Sequence, residues 1–251
     1  METSKKTTVK RAKPQPPKVE PGEEQVLQFK LTLDDFRPRI WRRVQVCSAT
    51  TMFQFAHIIM ELFQMENAHL YAFTFPETEE KKKRRSMFEP PCVRIELFTE
   101  DDWSEPDGKK IFDVEDPSLT LATVLDRFPS KKINFEYDYG DGWSLTILFE
   151  KVLPLDAKTA AKELPCVLKG EGYGILEDCG GPWGLAQLID LVHRRATNQP
   201  IEDTGYDEPL RLKWLDDLFP EAAEALLTPE AFDIDAANEA IRPMIPHSSE
   251  D

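Results

Sequence analysis

The sequence predicts an α+β domain, with a mixed, mainly antiparallel sheet and helices packed on one of its faces. Three observations lead there. Apolar and polar residues alternate one by one across residues 27–46 and again across 133–149, the period of half-buried strands. Apolar residues recur at helical spacing after positions 51, 120, 182, 210 and 233. Strand signals also come mostly before helix signals, which suits segregated elements rather than alternating βαβ units.

Taken in order, residues 1–23 set Pro14, Pro16, Pro17 and Pro21 among Lys and Thr, with almost nothing apolar. Burial cannot offset the ordering entropy of such a stretch, so it reads as a disordered basic tail. Residues 24–246 then form one domain, and 247–251 a disordered end. Leu27, Phe29, Leu31 and Leu33 make the first strand, residues 34–38 turn, and residues 40–46 return as its hairpin partner. Thr51 and Gln54 fit a capping box for a helix carrying Met52, Phe55, Ala56, Ile59 and Phe63. With a further strand at 69–75, this opening is compatible with a ubiquitin-like hairpin–helix–strand unit. Residues 77–85 are a charge run that reads as a solvated loop, and 93–98 read as a strand. Residues 101–117 are acidic and turn-rich, after which Ser118 or Thr120 caps a short helix. Ile133, Phe135, Tyr137 and Tyr139, the turn Gly140-Asp141-Gly142, and Trp143, Leu145, Ile147 and Phe149 form the clearest hairpin. Residues 165–184 are rich in Gly and Cys and read as irregular. Pro182 opens a helix, Leu210, Trp214, Leu215 and Leu218 mark another, and Asp233 caps a last one.

With 41% hydrophobic residues and 15 Phe, the chain can bury a core without disulfides or structural metal. Residues 1–23 carry six Lys/Arg against three Glu. The remaining 25 basic and 43 acidic residues leave the body at −18. Such a body repels phosphates, so nucleic acid is an unlikely partner, and proteins or cations fit better. No apolar run approaches a membrane span, no secretory leader is recognisable, and Cys47, Cys92, Cys166 and Cys179 lack metal-motif spacing. A cytoplasmic protein without a cofactor is therefore expected.

Five stretches carry a family resemblance: Arg37-Pro38-Arg39-Ile40-Trp41-Arg42-Arg43; His69-Leu70-Tyr71-Ala72-Phe73; Tyr137-Asp138-Tyr139-Gly140-Asp141-Gly142-Trp143; Glu177-Asp178-Cys179-Gly180-Gly181; and Pro229-Glu230-Ala231-Phe232-Asp233. Together, in this order, they resemble the plasmid pRiA4b ORF-3-like family over about residues 25–243. The resemblance implies the fold and a link to mobile elements or phage, but no settled activity. Family members usually carry Cys-Pro-Pro before the Glu-Asp-Cys-Gly-Gly. Here Gly174-Ile175-Leu176 stands in its place, which removes a sulfur ligand from any thiol metal site.

Two functional readings follow. The first is a binding or adaptor module, favoured because no P-loop, nucleophile motif or complete ligand set is recognisable. Its candidate contact residues are Arg39, Trp41, Arg42, Tyr137, Tyr139 and Trp143. The second is a divalent-metal-dependent hydrolase or nuclease-like enzyme, with His69, Asp138, Asp141, Glu177 and Asp178 as candidate catalytic groups and the four carboxylates as candidate metal ligands. A DNA-binding accessory role ranks last on charge. Each candidate also has a plainer explanation. Asp138 and Asp141 suit a Gly-Asp-Gly turn, Glu177 and Asp178 suit a helix N-terminus, and His69 suits a hydrogen-bonded strand end. Arg39, Arg42 and Arg43 are expected to pair with Glu177 and Asp178 inside the domain. The enzyme reading requires that the two acidic motifs meet beside His69.

Overall fold

The computed structural model describes residues 15–20, 24–76, 92–97, 110–155, 164–201, 207–228 and 231–245. The charge run at 77–85, residues 1–14 and 21–23 of the tail, part of the acidic 101–117 stretch, Pro229-Glu230 and the 247–251 end lie outside the described residues.

One eight-stranded sheet organises the chain. Its strands are β1 (Gln25–Leu33), β2 (Trp41–Cys47), β3 (Tyr71–Pro76), β4 (Cys92–Glu96), β5 (Lys110–Asp113), β6 (Lys132–Tyr137), β7 (Trp143–Pro154) and β8 (Cys166–Glu171). They lie in the order β5-β4-β3-β6-β7-β1-β2-β8, and only β4 and β5 run parallel. The mixed, mainly antiparallel α+β architecture is thus present. β1 bonds to β2 and β7, whereas β3 sits beyond β7 and β6, so this order does not confirm a ubiquitin-like unit. Two strands are unexpected, β5 in the acidic, turn-rich stretch and β8 in the stretch that reads as irregular. β5 and β8 are short edge strands paired on one side only, and β8 buries just Val167 fully, so neither shows an alternating pattern.

The helices are α1 (Met52–Leu62), α2 (Leu121–Arg127), α3 (Gly181–Ala196), α4 (Glu208–Leu218), α5 (Pro220–Ala225) and α6 (Ile234–Ile241). The capping box of α1 is complete: Gln54 N donates to Thr51 Oγ1 and Thr51 N to Gln54 Oε1. α1 lies under the sheet, where Phe55 meets Phe29 of β1 and Phe73 of β3, with ring centroids 5.1 and 6.0 Å apart. Phe149 and Phe135 extend this aromatic layer from β7 and β6. α6 is capped by Asp233 and held to β8 by Asn238, which exchanges two hydrogen bonds with the Val167 main chain. The opposite face of the sheet is polar, with Arg43 making two 2.8 Å bonds to Glu150.

Val19, within the segment expected to be tail, is packed in the core at 4% exposure. The stretch is also held by the Glu20 N–H, which donates to Gln25 Oε1 at 2.9 Å, and the nearby Pro17 limits the chain entropy lost on docking.

Candidate functional site

Strand register brings the first two motifs together. Tyr71 of β3 pairs with Tyr137 of β6, so the residue before β3 and the residue after β6 leave the sheet side by side. The Asp138 N–H donates to the Leu70 carbonyl at 3.0 Å. Asp138 is left-handed (φ 50°), and its carboxylate accepts from the Gly140 amide. This breaks the strand alternation and leaves Asp138 buried at 8% exposure beside His69.

The third segment arrives from β8. The Ile175 N–H donates to the Phe63 carbonyl at the end of α1, and Ile175 and Leu176 are buried. Gly174-Ile175-Leu176, the stretch that departs from the family pattern, therefore acts as an apolar anchor. Glu177 follows at 4% exposure. Its Oε1 accepts from the Tyr137 hydroxyl at 2.7 Å and from the Glu66 amide at 2.8 Å. Its Oε2 is buried with no hydrogen-bond partner.

These segments surround the His69 imidazole. His69 Nε2 lies 3.4 Å from Glu177 Oε2, 3.5 Å from Asp178 Oδ1 and 3.8 Å from Asp138 Oδ2. One ligand atom each from His69, Asp138 and Glu177 fall within 4.8 Å of one another, a spacing that could hold a metal ion. The ring of Tyr137 meets His69 edge-on. Burial, and then the bond to Glu177, push the Tyr137 phenol well up, so it remains a protonated donor. Asp178 lies on the solvent side, with its side chain 75% exposed.

Asp141 does not join this set. Its Oδ2 accepts from the Gly180 amide at 3.0 Å and fastens the hairpin tip to the third segment. Gly181 (φ 69°) allows the close approach, because a Cβ there would collide with the Asp141 carbonyl. Arg211 of α4 braces the same segment by donating to the Cys179 and Gly184 carbonyls. Cys179 is a buried thiol, raised to about 12 by burial and by Asp141, which is the opposite of an activated nucleophile.

Other expectations are corrected. Arg42 is fully buried and pairs with no carboxylate. It donates to the carbonyls of Trp41, Leu62, Glu171, Gly172 and Tyr173, and its guanidinium lies 3.7 Å from the Phe232 ring centroid. Arg43 bonds Glu150 on the opposite face, so the basic cluster does not meet Glu177 and Asp178 there. Of the candidate contact residues, Arg42, Tyr137 and Trp143 are buried, which bars them from direct contact with a macromolecule. Arg39 is exposed, and Trp41 is half-buried and bonded to Glu171. Tyr139 is 48% exposed and lies beside Arg94 and Glu96. Sequence reasoning did not pick out the Glu66 amide, which carries no side-chain signal, or Arg211, which lies in an otherwise ordinary helix.

Comparison with known proteins agrees with this framework. Residues 25–236 match the family model described as plasmid pRiA4b ORF-3-like protein. Uncharacterized protein y4hQ of Sinorhizobium fredii is 27% identical over 174 residues, which cover 68% of this chain and 76% of that protein. The crystal structure of MM3350 from Methanosarcina mazei Go1, a protein of unknown function, has a TM-score of 0.58 at 23% identity. It covers 85% of this chain and 98% of that one, which is a likeness of fold. No described helix is long and apolar enough to cross a membrane.

Proposed function

This chain belongs to the plasmid pRiA4b ORF-3-like family, a family of uncharacterised proteins, and from its site we propose a divalent-cation-dependent enzyme of hydrolytic type. One observation carries the reading. Glu177 Oε2, buried and without a hydrogen-bond partner, faces His69 Nε2 with Asp138 close by. A buried carboxylate oxygen left in that state is costly unless a cation completes it.

The distances support this. Charge-assisted hydrogen bonds run at about 2.7–2.9 Å, and the carboxylates around His69 Nε2 stand at 3.4–3.8 Å. Ligands about 2.0–2.2 Å from a tetrahedral ion stand roughly 3.3–3.6 Å apart, which matches the His69–Glu177 spacing, and the Asp138 oxygen lies within 4.8 Å of both. One imidazole and two carboxylates suit zinc or manganese better than calcium. Three protein donors leave a position for water, the pattern of catalytic rather than structural sites.

When bound, such an ion would lower the pKa of its water and supply a nucleophile near neutral pH. The chain's own residues do the rest. Tyr137 and the Glu66 amide hold Glu177 Oε1, which fixes Oε2 toward the centre. Asp178, on the solvent side, is placed to accept a proton. The adaptor reading rests on the want of a ligand set, and three converging donors favour the enzyme. The acidic body argues against a polyanionic substrate and hence against a nuclease.

Calorimetric titration of the metal-free full chain tests the proposal. One Zn²⁺ or Mn²⁺ per chain is expected, bound more tightly than Ca²⁺. His69→Ala or Glu177→Gln should weaken binding at least about 100-fold, with ion-dependent cleavage of p-nitrophenyl acetate lost in parallel. Equal zinc affinity in the wild type and both variants would refute it.

A further inference from the structure

A second concavity shares a wall with the proposed centre. It has a volume of about 260 Å³, and Glu61, Met65, Glu66, Tyr173, Glu177 and Phe219 are among its lining residues. Its chemistry is one-sided. Met65, Tyr173 and Phe219 are apolar or aromatic, three lining residues are glutamates, and none is basic. Glu61 and Glu66 are exposed, whereas Glu177 is buried, with Oε1 held by Tyr137 and the Glu66 amide and Oε2 turned to His69.

The backbone adds to the same field. The pocket lies at the C-terminal end of α1, the negative end of the helix dipole, with Gln64 in the left-handed conformation (φ 60°). No basic residue occupies the last turn of α1 to offset it. Glu221 of α5 is close enough to Tyr173 to add, after burial, to the rise in its phenol pKa. Arg42 reaches the Tyr173 carbonyl, but its five N–H groups are all taken by main-chain carbonyls.

We propose that this pocket binds a positively charged group on a short apolar stem, a guanidinium or alkylammonium, and that the substrate of the adjoining centre is cationic. The second clause rests on the cation-dependent reading, while the first does not. Glu61 and Glu66 would pair with the charge, Tyr173 and Phe219 would face it with their rings, and Met65 would pack the stem. The pocket is large enough for a basic side chain and too small for a folded partner.

The test uses the full chain and n-butylguanidinium, with n-butanol and n-butyrate as neutral and anionic counterparts, in calorimetric or NMR titration. The guanidinium should bind about tenfold more tightly than the alcohol, and butyrate should not bind. The substitution Glu61→Gln should reduce that preference severalfold. Glu61 is exposed and belongs neither to the three-donor set nor to the groups that hold it, so the fold and zinc affinity should be unchanged. Equal binding of alcohol and guanidinium, no binding of either, or an undiminished preference in Glu61→Gln would each overturn the proposal. Loss of zinc binding with guanidinium binding intact would instead remove the centre and leave the pocket, so the two failures are separable.

Discussion

Replacing Arg42 with Met keeps a long apolar stem in place and removes one buried cation. Every guanidinium N–H in the structure is used, in five bonds of 2.8–3.1 Å to main-chain carbonyls. Those carbonyls come from β2, the end of α1, and the end of β8 with the loop after it, so one side chain pins three segments. Phe63 and Phe232 face it from 4.9 and 3.7 Å. Burial lowers the guanidinium to about 9, which leaves it charged at neutral pH. A hydrogen bond to a charged donor contributes about 1.5–3 kcal/mol. Five such bonds from one group do not add, however, and the cost of burying the charge opposes them. Arg42→Met should therefore cost about 3–5 kcal/mol, a large share of the roughly 5–15 kcal/mol that domains have. Arg42→Lys should fall between, because three donors on a flexible stem cannot reproduce the fork. Urea unfolding of the three proteins, compared at matched m-values, measures this. A loss below about 1 kcal/mol for Arg42→Met would refute the reasoning, because the carbonyls would then be satisfied without the guanidinium.

Three further outcomes are expected. Val19→Ala removes two buried methyl groups at about 0.8 kcal/mol each, so urea unfolding should show a loss of about 1.5 kcal/mol; no change would return Val19 to the tail. Gly181→Ala places a Cβ against the Asp141 carbonyl at φ 69°. It should lower stability by about 2 kcal/mol or more and weaken zinc binding through the displaced segment, so unchanged melting and zinc titration would contradict the close approach. The Arg43 hydrogen bonds hold the Glu150 carboxyl below its ordinary value. Its stabilisation is therefore present above about pH 4.5 and disappears as pH falls through the depressed folded-state value. Glu150→Gln should cost about 0.5–1 kcal/mol at pH 7, and unfolding curves of the two proteins should converge as pH falls below the ordinary glutamate range; a constant gap would contradict the sign.

What the sequence determined by itself is what depends on near neighbours. Both hairpins, the Thr51–Gln54 capping box and the Asp233 cap were legible because periods of two and 3.6 and the chemistry of helix ends are local. The inward place of Arg42 was misread: it shares the face of Val44 and Val46 in β2, but its charge made it read as a contact group and a partner for Glu177 and Asp178. Edge strands β5 and β8 were not, because strands paired on one side bury too little to alternate. Only the tertiary structure decided the site. The register of β3 on β6 sets His69 beside Asp138, and the left-handed turn at Asp138 breaks the alternation that would otherwise apply. Arg42 and the Phe63 carbonyl then hold the chain that delivers Glu177. Three donors distant in sequence meet because non-local hydrogen bonds and packing place them, and no local pattern records such contacts.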